Sequence, residues 1–304
     1  MARPTQTSTA RAIAATVLLS ACTLLGLAGI DLVLPAVPTL PGALGGSLPM
    51  AQLVLASFAA GIGLGLLLFG ELGARFNNRK LLALALLAYA GCSWLAAGAD
   101  TLQQLIALRF VQGIFAACAA VVAPGMVRAL FGEQGALRAI GVLGSVESLA
   151  PAIAPVFGVW LLAWNGWQAS FHVTAGLAAL LALLVALSGS LLPAISAAPA
   201  QRGYGSLLAS AGFQRYAFGQ GCAIGGLLVF VFGMPVVITT SLGGELDDFI
   251  IMQMSGITTF IIAANLSHHA VARFGGDAVI AGGTVLALLG TVALCVYGGS
   301  GGID

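Results

Sequence analysis

The chain has 304 residues, of which 60% are hydrophobic and 7% are charged. Soluble globular domains carry roughly 25% charged residues, so the composition indicates an integral membrane protein surrounded by the lipid bilayer. The net charge of +1 leaves no basic surface for nucleic acid. The five cysteines stand at unrelated spacings inside apolar runs, and we therefore expect neither a metal site nor a disulfide framework. No cofactor is expected.

Nine apolar stretches follow one another along the chain. They are 12–34, 50–70, 81–99, 102–128, 137–162, 169–191, 216–240, 248–267 and 278–297. Most of them reach the roughly 20 residues with which a helix crosses the hydrocarbon core, and their connections are short and rich in Gly, Pro, Asn and Asp. The sequence therefore predicts an all-α bundle of about nine transmembrane helices, with the two termini on opposite sides.

The basic residues near the ends of these spans all lie on one side of the predicted bundle. They are Arg3, Arg11, Arg75, Arg79, Lys80, Arg128, Arg138, Arg202, Arg215 and Arg273. The connections on the other side hold acidic residues such as Asp100 and Asp247 and no Lys or Arg. By the positive-inside rule, we expect the N terminus in the cytoplasm and the C terminus on the outer side.

One further cation, Arg109, lies well inside the fourth predicted span. A permanent charge at the bilayer centre costs about 2.5–3.5 kcal/mol even on the mildest scale, so its side chain is expected to face protein or water. At helical spacing it shares a face with Gln112, Gly113 and Ala116, and small residues let a neighbouring helix come close. This face is typical of the wall of a polar path through a membrane.

Two carboxyl groups are candidates for proton coupling. Asp31 lies near the outer end of the first span, at a depth similar to that of Arg109, so the two could form a pair that exchanges a proton for a cation. The alternatives are a purely structural tie between the two helices, or an Asp31 solvated at the interface. Glu147 is expected near the middle of the fifth span, where a carboxyl group either carries a proton or serves as an interhelical hydrogen-bond donor.

Two short sequence matches indicate an internal repeat. Ala74-Arg75-Phe76 returns as Ala272-Arg273-Phe274. Leu34-Pro35-Ala36-Val37 is echoed by Met234-Pro235-Val236-Val237. Both matches are about 200 residues apart and fall at corresponding places in the spans, which predicts two parallel halves of six helices each.

The predicted division follows from this repeat. A six-helix half covers 1–192, a cytoplasmic loop covers 193–214, and three helices of an incomplete second half cover 215–304. We therefore expect a shortened form of a protein of about 400 residues. Such a chain is expected to be inactive or unstable as a monomer, and its function, if present, to need an oligomer or a complementing fragment.

Three motifs resemble the major facilitator superfamily, and within it the Bcr/CflA drug-efflux branch. They are Gly29-Ile30-Asp31-Leu32-Val33-Leu34-Pro35-Ala36-Val37-Pro38, Arg109-Phe110-Val111-Gln112-Gly113 and Ala150-Pro151-Ala152-Ile153-Ala154-Pro155-Val156-Phe157-Gly158. The third is similar to the antiporter motif of the fifth helix, here formed by Ala150, Pro151, Ala154, Pro155 and Gly158. Ala154 and Val159 stand where the family usually has glycine.

A fourth stretch, 70–80, is similar to the family's cytoplasmic loop motif between the second and third helices. Its matching residues are Gly70, Arg75, Arg79 and Lys80. Ala74 stands where the family carries an aspartate.

The resemblance implies a secondary active transporter of the bacterial inner membrane, not an enzyme. It would export small apolar or cationic drug-like compounds in exchange for protons. The residues predicted for the cavity and for proton coupling are Asp31, Arg109, Gln112 and Glu147, although an acid at the last position is not part of the family pattern. The alternative is a non-transporting remnant or membrane scaffold.

Overall fold

A computed structural model of the chain describes residues 9–147, 150–189, 191–193, 208–238 and 243–299. The regular structure in these ranges is helical, which confirms the predicted all-α class. The helices are α1 (Thr9–Asp31), α2 (Leu40–Leu44), α3 (Leu48–Arg75), α4 (Asn78–Ala97), α5 (Leu102–Glu147), α6 (Ala150–Asn165), α7 (Gln168–Leu187), α8 (Ala211–Val236), α9 (Leu246–Phe274) and α10 (Gly276–Gly299), and a 3-10 helix covers Leu34–Thr39.

Seven segments of the described chain are long and apolar enough to cross a membrane. They are Arg11–Leu44, Leu48–Arg75, Asn78–Ala97, Leu102–Gly132, Gln168–Leu187, Ala211–Met234 and Gly276–Ala293. Each overlaps one of the predicted spans, so the chain is a multi-pass membrane protein. The fifth predicted span, 137–162, includes positions 148 and 149, which lie outside the described residues. The eighth, 248–267, lies within α9 but is not among the seven segments, and the count of nine stays a prediction.

The connection between the fourth and fifth predicted spans is a single break in a helix. Gly132 has φ 67° and ψ −179°, and it divides α5 into 102–131 and 133–147. A positive φ is the left-handed region that glycine adopts without steric cost. The loop expected between Arg128 and Arg138 is therefore reduced to one glycine.

Glycines bring α3 and α5 into unusually close contact. A side chain at Gly61 or Gly65 of α3 would overlap with the carbonyl groups of Phe110 or Ile114 in α5, and one at Gly113 of α5 would overlap with the carbonyl of Phe58 in α3. Small residues at helix interfaces drive helix association in membranes because the backbones can approach closely. The backbones of α3 and α5 are therefore in direct contact at these glycines.

The chain divides into two compact units, Met1–Gly233 and Met234–Asp304. In the first unit, α1, α3, α4, α5 and α7 enclose an apolar core that includes Leu19, Phe58, Tyr89 and Met126. In the second unit, α9 packs on α10. The division predicted from the repeat stays a prediction, because 194–207 of the predicted central loop lie outside the described residues.

Candidate functional site

Arg109 lies in the centre of the first unit, and its side chain is 0% exposed. Its Nε donates a hydrogen bond to the carbonyl oxygen of Val54 in α3 (3.3 Å), and its Nη1 donates to Oε1 of Gln112 in α5 (2.8 Å). The guanidinium carbon lies 3.8 Å from the centroid of the Phe58 ring, well within the range of about 6 Å for an attractive cation–π contact. Arg109 therefore faces protein and not lipid, as the sequence predicts.

The hydrogen bonds continue from Arg109 into α4. Nε2 of Gln112 donates to Oγ of Ser93 (2.5 Å), and this hydroxyl in turn donates to the carbonyl oxygen of Tyr89 (2.9 Å). Gln112 and Ser93 are both 0% exposed. The chain of bonds ties the guanidinium to three helices, α3, α4 and α5, and fixes its orientation.

Two polar atoms of this cluster have no hydrogen-bond partner among the described residues. They are Nη2 of Arg109 and Oη of Tyr89, and both are buried. A buried donor without a partner costs about 1–3 kcal/mol, and such atoms in a native structure call for an explanation. One terminal nitrogen of the guanidinium is therefore left without a hydrogen bond inside the first unit.

The glycine of the Arg-x-x-Gln-Gly motif has a direct role in building this site. Gly113 lies against the Phe58 carbonyl, so the two backbones touch one turn away from Arg109. This approach places the Val54 carbonyl within reach of the guanidinium. A larger residue would separate the helices and remove one hydrogen bond from the buried cation.

Asp31 is the last residue of α1, and its side chain is 7% exposed. The suggested pair between Asp31 and Arg109 is not formed, since the ion pair found among the described residues joins Arg75 to Glu71. The physical reason is the direction of the Arg109 side chain, whose guanidinium is turned towards Val54, Gln112 and the ring of Phe58. Asp31 is buried in the protein, which differs from the alternative in which it is solvated at the interface.

The antiporter-type motif lies against the end of α1 that carries Asp31. Ala154 forms a small apolar cluster with Leu32, Leu161 and Ala169, and Gly158 packs against the Leu32 carbonyl and the ring of Pro35. Within the motif, the buried positions are Ala150, Ala154, Pro155 and Gly158, and Pro151 is half-buried. The motif therefore supports the helix end at which the buried carboxyl group is placed.

Glu147 is the last described residue of α5, next to positions 148 and 149, which lie outside the described residues. Its side chain is half-buried. Its proposed role in carrying a proton stays a prediction.

The loop motif forms two local contacts and one long-range contact. Arg75 pairs with Glu71 (2.5 Å), but both side chains are more than half exposed, and such surface pairs contribute little to stability. Oδ1 of Asn77 accepts hydrogen bonds from the backbone N–H groups of Arg79 (3.1 Å) and Lys80 (3.2 Å), and so caps α4. The guanidinium of Arg79 donates to the carbonyl of Gly189, just beyond α7. Ala74 stands at the usual aspartate position, and Arg75 engages the carboxylate of Glu71. Gly70, which precedes Glu71, is half-buried.

Several members of the site give no clear signal in the sequence. Ser93, Tyr89 and Phe58 contact Arg109 or its partner Gln112, but they come from other helices, α4 and α3, whose rotation towards α5 the sequence does not give. The one local signal is that Ser93 is a polar residue inside an otherwise apolar helix. Single serines of this kind are common in transmembrane helices, where they bond to their own backbone.

A bundle of apolar helices around a buried, hydrogen-bonded cation defines a polytopic membrane protein with a polar site inside its core. The family model of the Major Facilitator Superfamily matches residues 19–303. The chain belongs to this superfamily of membrane transporters, which confirms the resemblance noted in its motifs.

The relatives of this chain include proteins named for drug resistance. The chain is 30% identical over 268 residues to the uncharacterized MFS-type transporter YdgK of Bacillus subtilis (strain 168). These residues make up 85% of this chain and 65% of the relative. It is 37% identical over 161 residues to a chloramphenicol resistance protein of Pseudomonas aeruginosa, covering 52% and 38% respectively. It is 27% identical over 261 residues to a bicyclomycin resistance protein homolog of Haemophilus influenzae, covering 83% and 65%.

Solved structures share the fold. A bacterial homolog of the human lysosomal transporter Spinster, in an inward-facing and unoccupied conformation, matches with a TM-score of 0.70 and 16% identity over 88% of this chain and 65% of that one. A D-xylose-proton symporter matches with a TM-score of 0.58 and 15% identity, covering 84% and 69%. The chain thus spans 65% of the length of its relatives from Bacillus and Haemophilus.

Proposed function

We propose that this chain exports small apolar or cationic compounds across a bacterial inner membrane in exchange for protons. The observation that carries the proposal is the burial of Asp31, which is 7% exposed at the end of a membrane-spanning helix. The ion pairs of the described residues do not include it. The relatives named for resistance to chloramphenicol and bicyclomycin support the substrate class.

The chemistry of exchange follows from the cost of an enclosed charge. A carboxylate inside a membrane protein needs a compensating partner, and either a bound proton or a cationic substrate removes its net charge. The two compete for the same group, so occupancy by one favours release of the other. Arg109 stays charged throughout, because a guanidinium does not lose its proton in proteins, and it supplies a fixed positive charge in the same unit.

Asp31→Asn is expected to abolish the exchange of a cationic substrate for protons and to weaken binding of the cation, because its carboxylate partner is lost. The amide keeps the shape and hydrogen-bonding capacity of the side chain but does not titrate. The measurement is proton release on substrate addition, with the purified full chain, a pH-indicator dye and a lipophilic cation as the substrate. Asp100→Asn is the matched control, because Asp100 is an exposed aspartate in the connection between α4 and α5. Proton release that is undiminished in Asp31→Asn would contradict the proposal.

The orientation of the chain is the second part of the proposal, and the positive residues near the ends of the spans support it. A reporter fused after Arg75 is expected on the cytoplasmic side, and one fused after Asp100 on the outer side. Alkaline phosphatase activity and fluorescence of a cytoplasmic reporter distinguish the two locations. The reverse result at either position would show that the orientation is wrong.

The scaffold alternative predicts a different result in the same assays. A non-transporting chain would insert with the same orientation but would neither accumulate substrate in inside-out vesicles nor release protons. Transport by the full chain alone, and its loss in Asp31→Asn, would therefore separate the two functions.

A further inference from the structure

We propose that Ser170 is a positioning residue for Asp31. Its hydroxyl holds the carbonyl group of Leu32, and this bond fixes the end of α1 from which the Asp31 side chain projects. The inference deepens the proposed function, because it rests on Asp31 as the group that exchanges protons. It concerns a residue of α7 that no sequence motif indicates.

The end of α1 has backbone carbonyls that the helix itself cannot satisfy. In an α-helix, the carbonyl of residue i accepts from the N–H of residue i+4. Pro35 has no N–H, so the carbonyl of Asp31 loses its helical donor. The N–H of Ala36 donates to Val33 (3.0 Å) in the 3-10 helix that follows, so the carbonyl of Leu32 loses its helical donor as well.

Ser170 satisfies one of these two freed carbonyls. Its Oγ donates to the carbonyl oxygen of Leu32 over 2.9 Å, and its side chain is 1% exposed. Leu32 is also buried, at 7% exposed. Because a buried carbonyl without a partner is costly, this bond ties the first turn of α7 to the residue that directly follows Asp31.

α6 packs closely against the same carbonyl group, that of Leu32, from another side. A Cβ placed on Gly158 would lie 2.7 Å from the Leu32 oxygen and 3.2 Å from Cδ of Pro35. The Leu32 carbonyl is therefore enclosed by Gly158 of α6 and by the hydroxyl of Ser170 in α7. A displacement of the backbone at Asp31 has to break the Ser170 bond or push against α6.

This enclosure links proton occupancy to the hydrogen bond. A buried carboxyl group that gains or loses a charge changes its preferred surroundings, and the inference requires that the backbone next to Asp31 shifts in response. If the Ser170 bond is kept in one protonation state and weakened in the other, its energy contributes to the proton affinity of Asp31. Removing the hydroxyl then shifts the pH at which Asp31 titrates, whereas a purely structural bond leaves that pH unchanged.

Few other titratable groups lie near this end of α1 among the described residues. They are the same in wild type and in the Ser170 variants. Tyr89 of α4 lies against Gly29, and Arg109 of α5 is held by its own hydrogen bonds. α6 contains no titratable residue. The ionisable pair of α3 lies at the opposite end of that helix, at Glu71 and Arg75, and His172 of α7 is exposed beside Trp94.

The test uses the purified full chain in lipid vesicles and follows the infrared carboxyl band that disappears in Asp31→Asn. The measured quantity is the titration midpoint, the pH at which this band has half of its full intensity. We expect Ser170→Ala to shift this midpoint by about 0.7 pH unit, a roughly fivefold change in proton affinity, which corresponds to one ordinary hydrogen bond. Ser170→Cys, a weaker donor, is expected to give a smaller shift in the same direction, and it keeps the test available if the alanine variant is unstable.

Thr174→Val is the matched control on the same helix. Thr174 is buried like Ser170, but its hydroxyl donates within α7, to the carbonyls of Ser170 (2.9 Å) and Phe171 (3.1 Å). We expect no shift in this variant. The inference would be overturned if the Ser170 variants titrated at the same midpoint as wild type and Thr174→Val. The infrared titration is done without substrate, so it is independent of the proton-release assay. If the Ser170 variants shift the titration midpoint but the wild-type chain releases no protons on substrate addition, the proposed exchange is rejected and the positioning role of Ser170 is kept.

Discussion

Arg109→Ala is expected to abolish export and to lower the stability of the first unit. The change removes a side chain that bonds to Val54 and Gln112 and stacks on Phe58. Each buried polar group left without a partner costs about 1–3 kcal/mol, and the site loses its fixed positive charge. The measurements are substrate uptake by inside-out vesicles and thermal unfolding of the purified chain.

Two further variants separate charge from geometry. Arg109→Lys keeps the positive charge but loses the planar fork that serves two acceptors at once, so we expect weak residual export. Arg128→Ala removes an exposed arginine from the same helix and is expected to leave both readouts unchanged. Export at the wild-type level in Arg109→Ala would mean that the buried cation has no part in transport.

The hydrogen bonds of Gln112 explain why the site tolerates a cation in its core. The amide oxygen of Gln112 accepts from Arg109, while its amide nitrogen donates to Ser93. A glutamine has both an acceptor and donors on one planar group, so it can link a cation in α5 to a hydroxyl in α4. A carboxylate at this position would neutralise the charge and could not donate to the serine.

The sequence predicts those features of the site that depend on one helix. Arg109 stands out because it is charged in an apolar span, and the helical repeat correctly places Gln112 and Gly113 beside it. The family and the all-α class follow from the same apolar spans and motifs. Local periodicity is sufficient for these features, because it fixes which residues share a face of one helix.

Features that depend on the rotation of one helix against another are not predictable in this way. The rise of 1.5 Å per residue gives the depth of a residue, and on depth alone Asp31 and Arg109 are suitable partners. Depth does not give the direction in which each side chain points around its helix axis. The structure turns Arg109 towards α3 and α4, where Val54 and Ser93 complete its surroundings, and the loop expected at Gly132 is a break of one residue.

Gly113→Ala is expected to reduce both stability and export, although it adds a single methyl group. The new Cβ would overlap with the backbone carbonyl of Phe58, and a backbone atom cannot rotate away as the end of a flexible side chain can. α3 and α5 must therefore separate. Overpacking of this kind costs about 1–3 kcal/mol, which corresponds to a fall of about 5 °C in the midpoint of thermal unfolding for a unit of this size.

The loss of export has a specific structural cause in this variant. Moving α3 outward withdraws the Val54 carbonyl and the Phe58 ring from Arg109, so the cation loses a hydrogen bond (3.3 Å) and its aromatic contact together. Gly125→Ala makes the same chemical change in α5 where a Cβ meets nothing within 4 Å, and alanine favours helix over glycine. We therefore expect Gly125→Ala to be neutral or slightly stabilising. Equal unfolding midpoints for the two variants would show that close contact at Gly113 does not hold the site together.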